Sequence, residues 1–462
     1  MKKMYIPKII QGGMGVNISC PRLARAVSML SKKGRETLGT ISGVTLEKVL
    51  ARKLQQGGND AQDIIRVLKD FPFIGVTERI VSRYYRNPKQ GIPAVTINSS
   101  RYLIELIICA NYVFVKLAKE GHDNKISINY LEKIAMPHLY AIFGAMLAGV
   151  DFVTMGAGIP VQVPAVFEAF VEGKTARYKI PVIGGNDYEM TFDPETFFGK
   201  KIPPLKKPDF IPIIASNVLG AMLVKKLPPE SIYGFIIEEP TAGGHNAPPR
   251  NKVDYGPKDV VDYSEIAKIG LPFWIAGSCA SSDKLKYALS AGASGIQAGS
   301  IFALCEESGM REDIREEILK QGFNKTLKIR TDMDMSPTGF PFKVVDLEGT
   351  VSESFVYESK PRVCDQCALV SLYTKPDGSI GYRCASEPED DYEKKGGKRE
   401  DTIGRGCICN GLIVTAGLEI EGEKFEPPVV TLGDNTNFLE HLMSDEDGSY
   451  TASDVVNFLL GD

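Results

Sequence analysis

One of only four histidines in this 462-residue chain, His245, directly follows a glycine pair, and that pair follows a short apolar run from Phe235 to Ile237. Bulky residues in such a run read as a strand buried on both faces, and Pro240 to Gly244 cannot continue it. The chain must turn there. Gly243 and Gly244 lack a Cβ, so their amides can lie against a flat ligand, and His245 would stand on the rim. A neutral imidazole in that place can accept a proton near pH 7. The alternative is a turn whose histidine only caps a neighbouring backbone group.

Two further turns carry chemistry of a second kind. Ala276 to Ser281 and Ala298 to Ser300 each close an apolar run immediately before a helical pattern, with Gly277-Ser278 and Gly299-Ser300 at the bends. Amides at such bends can converge on a phosphate, as they do after the last two strands of many barrel enzymes. Plain tight turns are the competing reading. Two nucleotide motifs fail. Gly156-Ala-Gly158 lacks the third glycine of a dinucleotide fingerprint, and Gly173-Lys-Thr175 has Glu168 where a phosphate loop needs glycine.

A third group lies near the end of the chain, where Cys364, Cys367, Cys384, Cys407 and Cys409 cluster. Cys364-X-X-Cys367 and Cys407-X-Cys409 are chelating spacings that suit zinc or an iron–sulfur cluster. Against this stands a set of buried, reduced thiols, because the longer gaps match no tight ligand pattern.

These residues must be held by regular elements. Apolar runs begin near 9, 38, 126, 151, 211, 235, 273 and 295, nearly every one ending in Gly, Ser, Asn or Gln, and helical patterns such as Pro21 to Lys33, Leu139 to Gly149, Leu219 to Lys226 and Asp283 to Ala291 fall between them. Strand and helix in alternation predict a parallel sheet, and eight repeats predict an α/β (β/α)8 TIM barrel with its site at the strands' C-terminal ends. An open doubly wound sheet is the alternative. Residues 43–125 interrupt the rhythm and read as a helical insertion after strand 2. The division expected is therefore a barrel over 1–343, with 43–125 inserted, and a C-terminal extension over 344–462.

Composition bounds the function. A net charge of −4, from 54 basic and 58 acidic residues, gives no basic face for nucleic acid. The apolar stretches Leu103 to Val115 and Tyr140 to Val153 are too short or too interrupted to span a membrane and read as core helices. The opening residues lack the apolar region and cleavage site of a secretory signal, so a cytoplasmic protein acting on a small molecule is expected.

Ile9-Ile-Gln-Gly-Gly-Met-Gly15, Ala242-Gly-Gly-His245, Ala276-Gly277 and Gly295-Ile-Gln-Ala-Gly-Ser300 resemble the nitronate monooxygenase family, formerly called 2-nitropropane dioxygenases, over residues 5 to 345. The resemblance implies a TIM barrel that binds FMN and oxidises a small alkyl nitronate with oxygen. An NAD(P)H-dependent enoyl-ACP or quinone reductase on the same flavin barrel is the alternative. It further implies that Gln11, Gly12, Gly13, Met14, Asn129, Ala276, Gly277, Ser278, Gly299 and Ser300 hold FMN beside Gly243 and Gly244, and that His245 is the catalytic base. Three departures mark a longer branch: Asn246-Ala-Pro-Pro249 after the histidine, the insertion, and Ser336 to Lys343 where a Ser-Gly-Arg segment is common.

Overall fold

The computed structural model describes residues 4–251, 253–419 and 426–461. Eight parallel strands close on themselves: β1 (Ile9–Gln11), β2 (Thr37–Ser42), β3 (Ile126–Leu131), β4 (Phe152–Gly156), β5 (Asp209–Ile214), β6 (Phe235–Glu238), β7 (Phe273–Ala276) and β8 (Gly295–Ala298). Closure is made by β1, which pairs with β2 on one side and with β8 on the other, Ile9 opposite Ile296. The fold is thus the expected (β/α)8 barrel.

Alternation along each strand sorts its side chains. Ile10, Leu38, Phe152, Ile211, Ile236 and Trp274 fill the barrel interior, whereas Ile9, Ile41, Phe235 and Ile275 face the helices. Trp274, the single tryptophan, is fully buried and donates its indole N–H to the Pro7 carbonyl at 2.6 Å, so the segment entering β1 seals the barrel's floor. The floor is closed. Substrate chemistry is left to the opposite, C-terminal mouth.

Serines at the ends of strands start the helices that follow. Ser216 and Ser281 accept from the amides of Leu219 and Lys284, each at 3.2 Å, satisfying donors that a helix's first turn leaves open. Within 43–125, the helices Leu46–Gln56, Gly58–Leu68 and Val76–Tyr84 are additions, but Arg101–Ala118 packs against the helices Pro21–Met29 and His138–Leu147 and fills the barrel's second helical position. Buried Glu105 on that helix binds Arg79 at 2.7 Å and Arg101 at 3.2 Å, tying the added helices to the barrel.

The final stretch is woven into the same body. Helix Ala452–Leu460 packs between Ser282–Ser290 and Pro21–Met29, occupying the eighth helical position. Ser371–Thr374 pairs antiparallel with Ile380–Arg383 and parallel with Val182–Ile183, which lies in the connection from β4 to β5. That connection also holds an antiparallel hairpin, Ala176–Ile180 with Tyr188–Phe192. Among the described residues no helix is long and apolar enough to cross a membrane.

Candidate active site at the barrel mouth

A cavity of about 230 Å³ opens at the C-terminal ends of the strands. One wall is backbone. Gly12, Gly13 and Met14 leave β1, Gly277 and Ser278 leave β7, and Gly299 and Ser300 leave β8, and all of them line it. The Gly12 amide donates to the Ala298 carbonyl at 2.8 Å, which fixes the first turn to the last strand. Only glycine fits at 13, where a Cβ would lie 2.3 Å from the Asn129 Cβ. Gly277 has φ +107°, and a Cβ there would meet Thr241 Oγ1 at 2.8 Å.

Asn129, Gly243, Gly244, His245 and Ala276 also line the cavity, so the structure gathers nearly all the residues singled out from the sequence. Asn129 Oδ1 accepts from Thr154 Oγ1 at 2.7 Å, which aims the amide along the wall. Gln11 is the exception. Its side chain is fully buried inside β1, accepts from the Thr40 amide at 2.8 Å and donates to Ser19 Oγ at 2.8 Å, and is absent from the cavity wall. It braces the turn that Gly12 and Gly13 make.

Residues from the far end of the chain complete this wall. The Gly433 amide donates to Ser300 Oγ at 2.7 Å, and the Asp434 amide to the Thr241 carbonyl at 3.1 Å. Leu369, Ile408, Cys409, Thr415 and Leu432 line the cavity as well. Two buried groups on the wall, Gln297 Nε2 and Thr241 Oγ1, have no hydrogen-bond partner among the described residues. Unpaired donors in such a place are costly unless a ligand meets them. Glycine turns, close-approach backbone and orphaned donors together fit a flat, polar-edged cofactor such as a flavin.

The opposite wall is made of side chains. His245 is held by a short antiparallel bridge to Phe342: the Lys343 amide donates to the Gly244 carbonyl at 2.9 Å and the Asn246 amide to the Pro341 carbonyl at 3.0 Å. The Gly244 amide donates to Thr431 Oγ1 at 2.7 Å. The imidazole stands edge-on to Phe342 at 4.9 Å, and its Nε2 shares a hydrogen bond of 2.7 Å with Ser336 Oγ. Burial, and secondarily the nearby Lys133 ammonium, lower its pKa to about 3. His245 is therefore neutral, and proton uptake by it is opposed by both effects.

Two ionisable residues that the sequence reading passed over lie beside it. Lys133 follows β3; its Nζ stands 3.3 Å from Thr338 Oγ1 and 2.9 Å from the centre of the Phe340 ring, and burial lowers it to about 7. Glu238 ends β6 and lines the cavity, and burial, opposed by Lys133, raises it to about 7. The available signal was a charge set directly after an apolar strand, in Leu131-Glu-Lys133 and in Ile237-Glu238.

Among the described residues no group of three or more His, Cys, Asp or Glu is arranged to hold a metal ion. The thiols of the extension find local partners. Cys384 is buried and meets Ser386 Oγ at 3.1 Å, Cys364 touches Cys367 and Cys384, Cys407 is buried, and Cys409 turns to the cavity. The zinc or iron–sulfur expectation thus finds no ligand group among the described residues, although the five thiols lie near one another and only Cys384 and Cys407 are buried.

The sequence matches no protein-family model and no curated protein. Solved structures share the fold. The enoyl reductase domain of MlnA, from the macrolactin biosynthesis cluster of Bacillus amyloliquefaciens, is 11% identical with a TM-score of 0.50, over 98% of this chain and 93% of that one. FabK from Thermotoga maritima is 14% identical with a TM-score of 0.48, over 99% and 92%. Nitroalkane oxidase from Streptomyces ansochromogenes is 11% identical with a TM-score of 0.47, over 99% and 95%. At these identities the likeness speaks for the barrel architecture alone.

Proposed function

We propose that the protein is an FMN-dependent oxidoreductase that oxidises a small alkyl nitronate with oxygen. The observation that carries this reading is the asymmetry of the mouth: a backbone wall of glycine turns with orphaned polar groups faces a wall of buried ionisable side chains. Flavin supplies two-electron redox chemistry when bound. The turns at Gly12 to Met14, Gly277-Ser278 and Gly299-Ser300 would hold it, with Gln297 and Thr241 finding their missing partners on its polar edge.

His245 stands on the substrate side of the cavity. As a neutral group it orients the substrate's nitro oxygens by a hydrogen bond, and its bond to Ser336 fixes which way the ring faces. The covering segments, 336–343 and 429–433, bring Phe342 and Leu432 over the mouth and keep water from the reacting atoms. A small substrate suits this enclosed space. The test is direct: heat-released cofactor from the purified protein, separated by chromatography, should be FMN near one per chain. FAD, or no flavin at all, would overturn the assignment.

A further inference from the structure

Glu238 occupies a place that neither the glycine motifs nor the histidine explains. It forms part of the wall of two cavities at once, the main one and a second of about 200 Å³ bounded by Ser216, Glu239, Asn246, Arg250, Tyr255 and Asp259. Among the described residues its carboxylate makes no hydrogen bond or ion pair, which leaves it open to the cavities it lines. Its neighbour Glu239 differs, since it accepts from Tyr263.

Building on the flavin reading above, we propose that Glu238 is the acid–base residue of this site, with the Lys133 ammonium as its neighbouring charge. A neutral nitroalkane carries a hydrogen on the carbon beside its nitro group. In the proposed step that C–H bond breaks, its electron pair moves into the nitro group to leave a nitronate, and the proton forms an O–H bond on Glu238. No oxidant is consumed. The carboxylic acid then returns the proton to water through the second cavity.

Three observations favour Glu238 over His245 for this role. The imidazole's Nε2 is already engaged by Ser336 at 2.7 Å, whereas the carboxylate is free to meet substrate. Burial and Lys133 both oppose a proton on His245, but for Glu238 burial stabilises the protonated product while Lys133 keeps the carboxylate accessible. A base tuned to about 7 also matches neutral conditions, where proton transfer is most efficient. The charged and titratable groups around Glu238 are Lys133 after β3 and, from the loop after β6, Glu239, His245, Arg250, Tyr255 and Asp259.

The experiment follows the α-hydrogens of nitroethane by NMR in D2O, without oxygen, alongside turnover of nitroethane and of its preformed nitronate. Unmutated protein should speed the exchange, with a rate that rises with pH through about 7. Glu238→Gln, which keeps the side chain's shape, should lower both exchange and nitroethane turnover by roughly 10²-fold or more, far more than it lowers turnover of the preformed nitronate, with the flavin still bound. Lys133→Met should move the rise to higher pH, a change that a purely structural role would not produce. The proposal is overturned if the unmutated protein does not speed exchange, if the rise survives in Glu238→Gln, or if His245→Gln alone abolishes it. Exchange without any flavin reduction would remove the redox reading and leave the assignment of Glu238 standing.

Discussion

The two walls of the cavity are built on different principles. The wall at β1, β7 and β8 is backbone: glycines at 12, 13, 277 and 299 bring amides to the surface, and their positions follow from turns the chain must make in any case. The wall at β3 and β6 is side chain, with Glu238 and His245 beside Leu131, Ile134 and Phe342, and Lys133 standing just behind it over the Phe340 ring. Backbone cannot be retuned by its surroundings, so it suits a cofactor of constant shape. Side-chain ionisation responds strongly to burial and to neighbouring charge, so it suits the reacting end.

The sharpest way to separate the walls is to damage one and leave the other. Gly299→Val adds bulk where a Cβ meets little beyond Met14 Sδ at 3.5 Å, so the fold should survive while the new methyls take cofactor space. The expected result is a folded, colourless protein with flavin affinity down by roughly 10²-fold or more, an amount equal to about 3 kcal/mol. Undiminished flavin content would place the cofactor elsewhere.

Next in size is the fastening of the cover. Lys343 is buried and binds Asp434 at 2.6 Å and Thr331 Oγ1 at 2.7 Å, which joins the bridge beside His245 to the segment beside Ser300. Asp434→Ala leaves that ammonium buried without its counter-charge, and chemical denaturation should show a loss of about 3 kcal/mol. Both walls depend on this cover, so flavin occupancy and turnover should fall together. Loss of one alone would show that the cover serves only one side.

Acid should test the two buried histidines. Burial holds His245 at about 3 and His138 at about 4, both below the free value of 6.5, so each takes up its proton only on unfolding. Stability is then fully present above pH 6.5 and falls as the pH drops toward those lower values, by at most about 1.4 kcal/mol per pH unit for each histidine. His138→Gln should flatten the slope between pH 6 and about 4, measured by urea unfolding. An unchanged slope would mean that His138 is solvated in the folded chain. The smallest effect is expected from Ser336→Ala, which removes one hydrogen bond from His245 and should cost about 1 kcal/mol of stability.

The same contrast explains what was legible in the sequence. All eight strands were marked by short apolar runs, because a strand buried on both faces needs nothing but bulky apolar residues, and the glycine turns were marked by composition. Gln11 was misplaced because period-two alternation turns its side chain into the barrel wall, toward Thr40 and Ser19. The hairpin Ala176–Ile180 with Tyr188–Phe192 was passed over although its signal was present: Arg177 and Lys179 alternate with Tyr178 and Ile180 ahead of Gly184-Gly185. Ser336 beside His245, Gly433 beside Ser300 and the final helix beside Pro21–Met29 join residues far apart in the chain, and no local pattern encodes such contacts. The cysteine spacings are a related case: the fold brings Cys364 to Cys367 and Cys384, with Cys407 and Cys409 nearby, yet among the described residues no three ligating groups are arranged to hold a metal ion.

The central claim is that the mouth joins a flavin to a nitronate, and anaerobic mixing tests it most directly. Added to the purified protein without oxygen, an alkyl nitronate should bleach the flavin's visible absorbance within the time of a single turnover, and readmitted oxygen should restore it. NADPH, added separately, should leave the spectrum unchanged. Rapid bleaching by NADPH with none by the nitronate would contradict the account and make the protein a nicotinamide-dependent reductase on the same barrel.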